Sequence, residues 1–394
     1  MNSNPVILLA KRTPIGSFGG SLNSVPAPQL GAAVIRRIVK ELGKEKALID
    51  EVILGNVLSA GVGQAPARQS ALLGGLNNSV ECTTINKMCG SGLKAVMLAA
   101  QSIIIGDAEM VIAGGIESMS NAPFLIHGER TGYQVGHRKM IDTMIHDGLW
   151  DVYNNMHMGN CAELCAKERG IKRKDQDEFA IESYKRAQIA QNNGIFSNEI
   201  VPVEVKQSNG ESIQVYLDEE PGRVKFEKIS TLNPVFDTNG TITAANASKL
   251  NDGAAAVLIT SDNKAKELGL KPLARLVAQA SAAHEPEWFT TAPGKAISKV
   301  LKKSGLSVQD IDLWEINEAF SVVAMAAMED YKIDHKKVNI YGGAVSLGHP
   351  IGASGARILT TLLNGLKQTN SQFGLATLCI GGGEASAVII EKYD

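Results

Sequence analysis

The chain has 394 residues, 44% of them hydrophobic, with 39 glycines and a formal net charge of −2. That length suits two or three domains, or one body built on a double core. The balanced charge leaves no basic face for nucleic acid or a membrane surface, and five cysteines without metal or disulfide spacing point to a reducing compartment.

In chain order, Val6 to Ala10 reads as a strand, closed by the turn-rich Lys11-Arg12-Thr13-Pro14-Ile15-Gly16. Those five apolar residues are too few for the core of a signal peptide. No later run approaches the roughly 20 apolar residues of a membrane span, so a cytoplasmic protein is expected. Leu30, Val34, Ile38 and Leu42 fall at helical spacing and stop at Gly43, and Val52 to Val57 predicts a second strand.

Next comes Asn86-Lys87-Met88-Cys89-Gly90-Ser91-Gly92-Leu93-Lys94-Ala95, where a short apolar segment ends at a cysteine and a helical pattern begins at once. Leu93, Val96, Met97, Ala100 and Ile104 mark one helix face. Placed at that helix N-terminus, Cys89 would lie beside unpaired N–H groups, which lowers a thiol pKa from about 8.5 into the range of roughly 3.5–7.5. Gly90-x-Gly92-x-x-Ala95 nearly matches a dinucleotide fingerprint, but the strand before it is short and Cys89 would crowd a pyrophosphate. Met110 to Ala113 predicts a buried strand ending at Gly114-Gly115, and this alternation of strands and helices implies a mostly parallel sheet.

From Ser120 to about Asn160 the periodicity fades, while Tyr133, His137, His146, Trp150, Tyr153, His157 and Met158 accumulate. A lid over a substrate or an oligomer contact is expected there. The histidines at 127, 137, 146 and 157 lack metal-ligand spacing. Asp175 to Gln191 reads as an amphipathic helix capped by Asp175, Val201 to Pro234 as hairpins and loops, and Gly240 to Thr243 as a short strand. Ala254 to Ile259 is an apolar strand, and Lys271-Pro272 a boundary.

The last third echoes the first. Ser91-Gly92 opens a helix that leads to the strand Met110 to Ala113 and Gly114-Gly115; Ser354-Gly355 opens another that leads to Leu375 to Ile380 and Gly381-Gly382-Gly383. Two copies of one α/β unit are inferred, packed face to face with their glycine turns meeting at a site. Trp314-Glu315-Ile316-Asn317-Glu318 puts a polar pair at a strand end. Gly348-His349-Pro350 mounts an imidazole rigidly at a turn before a helix, as a general base requires. Cys379 ends a strand ahead of three glycines.

These motifs, with Arg12 to Phe18, Gly114 to Ser120, Asn246-Ala247-Ser248, Leu250 to Gly253 and Asn317-Glu318-Ala319-Phe320, resemble those of the thiolases from end to end, the acetyl-CoA acetyltransferases in particular. The resemblance implies duplicated α/β halves in a five-layer αβαβα arrangement with an inserted loop domain: 1–119 plus 250–271 as one half, 120–249 as the lid, and 272–394 as the other. It implies Claisen condensation of two acetyl-CoA to acetoacetyl-CoA and CoA, by a ping-pong route through acyl-Cys89. In that scheme His349 takes the Cys89 proton and Cys379 removes a proton from the second substrate. Asn317, through a water, joins His349 in one oxyanion hole, and the N–H groups of Cys89 and Gly381 form the other. CoA contacts carry over to Ser248, His157 and Met158, with Leu149, Phe236, Ala244, Ala319 and Phe320 lining the pantetheine channel. No metal and no organic cofactor is implied, and the expected assembly is a homotetramer, a dimer of dimers. The alternative within the family is a degradative 3-ketoacyl-CoA thiolase of broader chain length.

Overall fold

The computed structural model describes residues 4–128, 130, 132 and 135–393. Tyr133, one of the aromatics of the irregular segment, lies outside the described residues. The strands that build the core are β1 (Pro5–Arg12), β2 (Glu51–Gly55), β3 (Glu81–Ile85), β4 (Met110–Ser118), β5 (Asn251–Ser261), β6 (Ala274–Ala283), β7 (Leu313–Ile316), β8 (Phe373–Ile380) and β9 (Glu384–Lys392). The helices packed on them are α1 (Ala27–Leu42), α2 (Pro66–Leu73), α3 (Ser91–Ile105), α4 (Met158–Glu168), α5 (Arg173–Asn192), α6 (Ala292–Ser304), α7 (Ser321–Tyr331) and α8 (Ser354–Thr369).

Strand order is β7-β8-β9-β6-β1-β5-β4-β2-β3, and the pair Gly16–Ser17 adds to β5 to give ten strands. Alternate residues of each strand face different cores, as a period of two demands. Val52 and Leu54 of β2, with Met110 and Ile112 of β4, pack under Leu30, Val34 and Ile38 of α1. Ile53, Val111 and Val257 face the opposite way, onto Leu93 and Val96 of α3 and Leu359 and Leu362 of α8. Ala376 and Val388 close that central core from the other side, while Leu375, Ala387 and Ile389 turn outward to Ile297 and Val300 of α6. Five layers result, and the expected fold class holds. The two half-sheets join where Val6 and Ile7 pair with Arg275 and Ala274.

The central layer sets up the site. A Cβ on Gly355 would stand 2.3 Å from the Leu93 nitrogen, and one on Gly92 would stand 2.9 Å from the Ala356 nitrogen. Only glycine at both positions lets the N-termini of α3 and α8 approach this closely. The duplicated small–Gly helix start is thus the contact between the halves. The stretch Met88–Ile105 is, among the described residues, long and apolar enough to cross a membrane by length and composition, with mean hydropathy 1.5. The sequence reading passed over it; here it is the central helix, packed between two half-sheets.

Several expectations change. The sheet is mixed, not mostly parallel: β2–β3, β2–β4 and β7–β8 are parallel, but β5 and β9 run antiparallel to both of their long partners. Gly114 and Gly115 sit inside β4 instead of ending it, because a Cβ on Gly115 would meet the Gly352 oxygen at 2.0 Å. Gly240 to Thr243 forms no strand, since the Thr241 and Ile242 N–H groups donate to the Glu163 carboxylate at 2.7–2.9 Å. Asp175 is the third residue of α5, not its cap, and accepts from the Lys172 N–H at 3.2 Å. In α3 the face closes with Ile103; Ile104, at 52% exposure, runs past the core.

Between the halves of the chain, residues 120–249 form short hairpins and the helices α4 and α5. Arg12 ties this segment to the core. Wholly buried, its guanidinium donates to Glu199 at 2.6 Å and to both oxygens of Asp218 at 2.7 and 2.9 Å.

Candidate active site

A cavity of about 380 Å³ opens where α3, α8 and the 120–249 segment converge. Cys89, His349 and Gly381 line it together with Ser248, His157, Met158, Leu149, Phe236, Ala244, Ala319 and Phe320. Cys379, fully buried, stands behind its wall, and Asn317, also fully buried, comes two residues before the lining residue Ala319. Cys379 packs with Met158, Ala319 and Phe320, and burial pushes its thiol far up, with the nearby Cys89 sulfur adding to the shift. The two sulfurs, encoded far apart, therefore feel one another's charge. Sequence reasoning missed Met144, Thr243, Lys249 and Phe289, which line the same cavity without motif character of their own, and gave no site role to Met119 and Ile351, which also line it.

The Cys89 thiol is raised to about 11, not lowered. Burial outweighs the Gly381 and Cys89 N–H groups that oppose it, and Glu117 adds to the rise. In the turn before α3 the Gly90 N–H goes to the Lys87 oxygen and the Ser91 N–H to the Met88 oxygen, both at 3.0 Å, so neither donor is left for the Cys89 sulfur. Met88 holds this turn at φ +47°. Lys87 pairs with Glu384, fastening the cysteine turn to the strand that follows Gly381.

His349 is set for one proton role. The Ser354 hydroxyl donates to the Pro350 oxygen at 2.9 Å, so toward His349 Nδ1, 2.6 Å away, it acts as acceptor. The ring thus carries its proton on Nδ1, and Nε2 presents a lone pair with no hydrogen-bond partner among the described residues. Burial pulls the imidazole down to about 3, with Arg357 contributing, so it stays neutral and able to accept a proton at pH 7. Asn317 is wholly buried, and neither of its side-chain polar atoms has a hydrogen-bond partner among the described residues. The free Nε2 of His349 opens on the cavity that Cys89 also lines.

Glu117 holds the frame. Its Oε1 accepts from Asn56 Nδ2 and the Leu58 N–H, its Oε2 from the Val57 and Gly352 N–H groups, at 2.7–3.2 Å. Burial raises the carboxyl to about 7 while those four donors oppose the shift. Glu117→Gln replaces one oxygen by an NH2 facing two donors, and is expected to cost about 3 kcal/mol or more. Urea unfolding checks it; an unchanged midpoint contradicts this role.

In the cavity wall, His157 caps α4, its Nδ1 accepting from the Gly159 N–H at 3.0 Å. Its ring stacks on Phe236 with centroids 4.7 Å apart. The Ser248 N–H donates to the Ala319 oxygen at 2.9 Å, which couples the two polar segments that flank the cavity.

The chain is similar to known proteins along its whole length. Residues 5–263 match the family model for the thiolase N-terminal domain, and residues 270–392 that for the thiolase C-terminal domain. The chain is 50% identical to the acetyl-CoA acetyltransferase of Schizosaccharomyces pombe over 393 residues, covering 100% of both. It is 51% identical to the acetyl-CoA acetyltransferase of Cupriavidus necator over 388 residues, 98% of this chain and 99% of that one. The crystal structure of the Bacillus anthracis acetyl-CoA acetyltransferase superposes with a TM-score of 0.97 at 40% identity, covering 100% of both chains. The chain belongs to the thiolase family.

Proposed function

We propose that this acyltransferase is an acetyl-CoA C-acetyltransferase, joining two acetyl-CoA into acetoacetyl-CoA and CoA by a ping-pong mechanism and running the reverse thiolysis through the same site. The observation that carries the reading is the convergence of Cys89, the free Nε2 of His349 and Gly381 on one apolar cavity, with Cys379 directly behind.

With both groups neutral at rest, attack and proton transfer are coupled. As the Cys89 sulfur bonds to the thioester carbonyl, its proton passes to His349 Nε2, and the carbonyl electrons collect on oxygen. Collapse expels CoA thiolate, which leaves with that proton. The acetyl group then rests on Cys89, near the N–H groups of Gly381 and Cys89 that face its sulfur. The second acetyl-CoA loses an α-proton to Cys379 in its thiolate form, its enolate oxygen held by His349 and Asn317. Its carbon attacks acetyl-Cys89, the Cys89 sulfur leaves as thiolate, and the proton gained by Cys379 passes to that thiolate, which restores both sulfurs. Each fixed oxyanion donor is worth about 3 kcal/mol of barrier.

Space favours short acyl groups. Met88, Met119, Met144, Leu149 and Ile351 pack in one apolar cluster with Cys89, and these side chains stand where a longer acyl chain would extend from the sulfur. Acetoacetyl-CoA is expected to be cleaved roughly 100-fold or more faster, as kcat/KM, than 3-ketohexadecanoyl-CoA. Loss of the 3-ketothioester absorbance measures both; equal values favour the longer-chain degradative reading, and no cleavage of either removes the proposal.

A further inference from the structure

Lys249 interrupts the Asn246-Ala247-Ser248 and Leu250-Asn251-Asp252 motifs and lines the same cavity, yet its ammonium turns inward. Nζ donates to the Ala247 oxygen at 2.7 Å and the Val345 oxygen at 3.4 Å, and stands 5.7 Å from the centre of the Tyr184 ring. An ammonium removed from water is costly unless paired. Here the compensating charges are two buried carboxylates, Glu220 and Glu318.

Both carboxylates lead into the reaction centre. Glu220 accepts from Asn251 Nδ2 at 3.1 Å, and Asn251 Oδ1 accepts from the His349 backbone N–H at 2.9 Å. Glu318 follows Asn317 in sequence and accepts from the Val345 N–H at 3.1 Å, Ser183 at 2.8 Å and Asn339 at 2.7 Å. The ammonium thus joins three segments: the Ser248 loop by its Ala247 carbonyl, the approach to His349 by its Val345 carbonyl, and α5 by the Tyr184 ring.

We propose that Lys249 is a positioning residue of the acyl-CoA site, its protonated amine clamping the Ser248 loop to the segment that leads into His349, so that CoA thioester binding depends on its charge. This rests on reading the cavity as the acyl-CoA site. The groups facing Nζ are Glu220, Glu318 and the Tyr184 phenol; burial pushes the phenol up, so it stays neutral, and the two carboxylates favour the ammonium. Burial nevertheless brings Lys249 down to about 8. The clamp is charged below that pH and discharges above it.

The test measures acetyl-CoA dissociation constants calorimetrically in the Cys89→Ala protein, which binds without turnover. Affinity should weaken about ten-fold between about pH 7 and about pH 9. With Lys249→Met added, binding should be weak and flat across that range; with Lys249→Arg it should stay tight above pH 8. In Lys249→Ala, ammonium chloride should restore affinity while tetramethylammonium chloride at equal ionic strength does not. A parent profile that is flat, or a Lys249→Met protein that binds as the parent does, overturns the proposal. Should Lys249→Met not fold, the parent profile and the arginine variant decide. Wild-type protein that fails in thiolysis but shows this binding profile would instead defeat the functional reading alone.

Discussion

Cys89→Ala abolishes formation of an acyl-enzyme and lowers turnover on the order of 10⁴-fold or more, in both the condensing and the cleaving direction. The size follows from the chemistry around the sulfur. Among the described residues, no other cysteine lines the cavity, and Cys379 is shut behind its wall. Two backbone N–H groups are aimed at Cys89, and His349 Nε2 carries a lone pair for its proton. Alanine leaves the turn intact, since Lys87, Met88, Gly90 and Ser91 hold it by main-chain bonds that involve no cysteine side chain. The folded protein should therefore melt near the wild-type temperature while losing activity. Residual turnover within ten-fold of wild type would remove Cys89 from the mechanism.

Cys379→Ala separates the two half-reactions. Acetylation of Cys89 by acetyl-CoA should proceed within a few-fold of wild type, whereas condensation should fall about 10³-fold, the usual worth of a placed acid–base group. The sulfur is poorly ionised at rest, because burial and the neighbouring Cys89 sulfur both push it up. The base is therefore its minority thiolate, whose raised proton affinity strengthens it toward the α-proton of the second thioester. Exchange of the acetyl methyl protons with solvent deuterium, followed by NMR, should disappear with the condensation. If exchange persists in the alanine variant, another group is the base.

Much of the molecule could be read from its residues because local rules and tertiary packing agree there. α1 begins near Pro28, keeps its apolar stripe to Leu42 and stops at Gly43 with φ +71°. The repeated Ser-Gly helix start forecast that the halves meet at glycines, and Gly92 and Gly355 do so. Other features depend on partners distant in sequence. Thr241 and Ile242 look like strand, but a carboxylate at Glu163 takes their N–H groups. The antiparallel return of β5 follows a long excursion through residues 120–249, which no local pattern records. The Cys89 environment misled for a related reason. A helix start ahead suggested free donors, but the turn at Met88 spends the Gly90 and Ser91 N–H groups on carbonyls, and burial outweighs what remains. His349 showed the reverse: the sequence marked the residue, but its tautomer emerged only from the Ser354–Pro350 bond. Lys249 passed unnoticed because a lone lysine in a polar stretch ordinarily faces water.

The most direct measurement is a chase with acetyl-CoA labelled in its acetyl group. One equivalent is given to the wild-type protein, the Cys89 peptide is examined, and unlabelled acetyl-CoA is then added. The label should sit on Cys89 alone and pass into the acyl half of acetoacetyl-CoA as the protein loses it. Label found on no cysteine, found first on Cys379, or left on Cys89 while acetoacetyl-CoA forms unlabelled would contradict a single crevice in which one sulfur carries the acyl group and the other removes the proton.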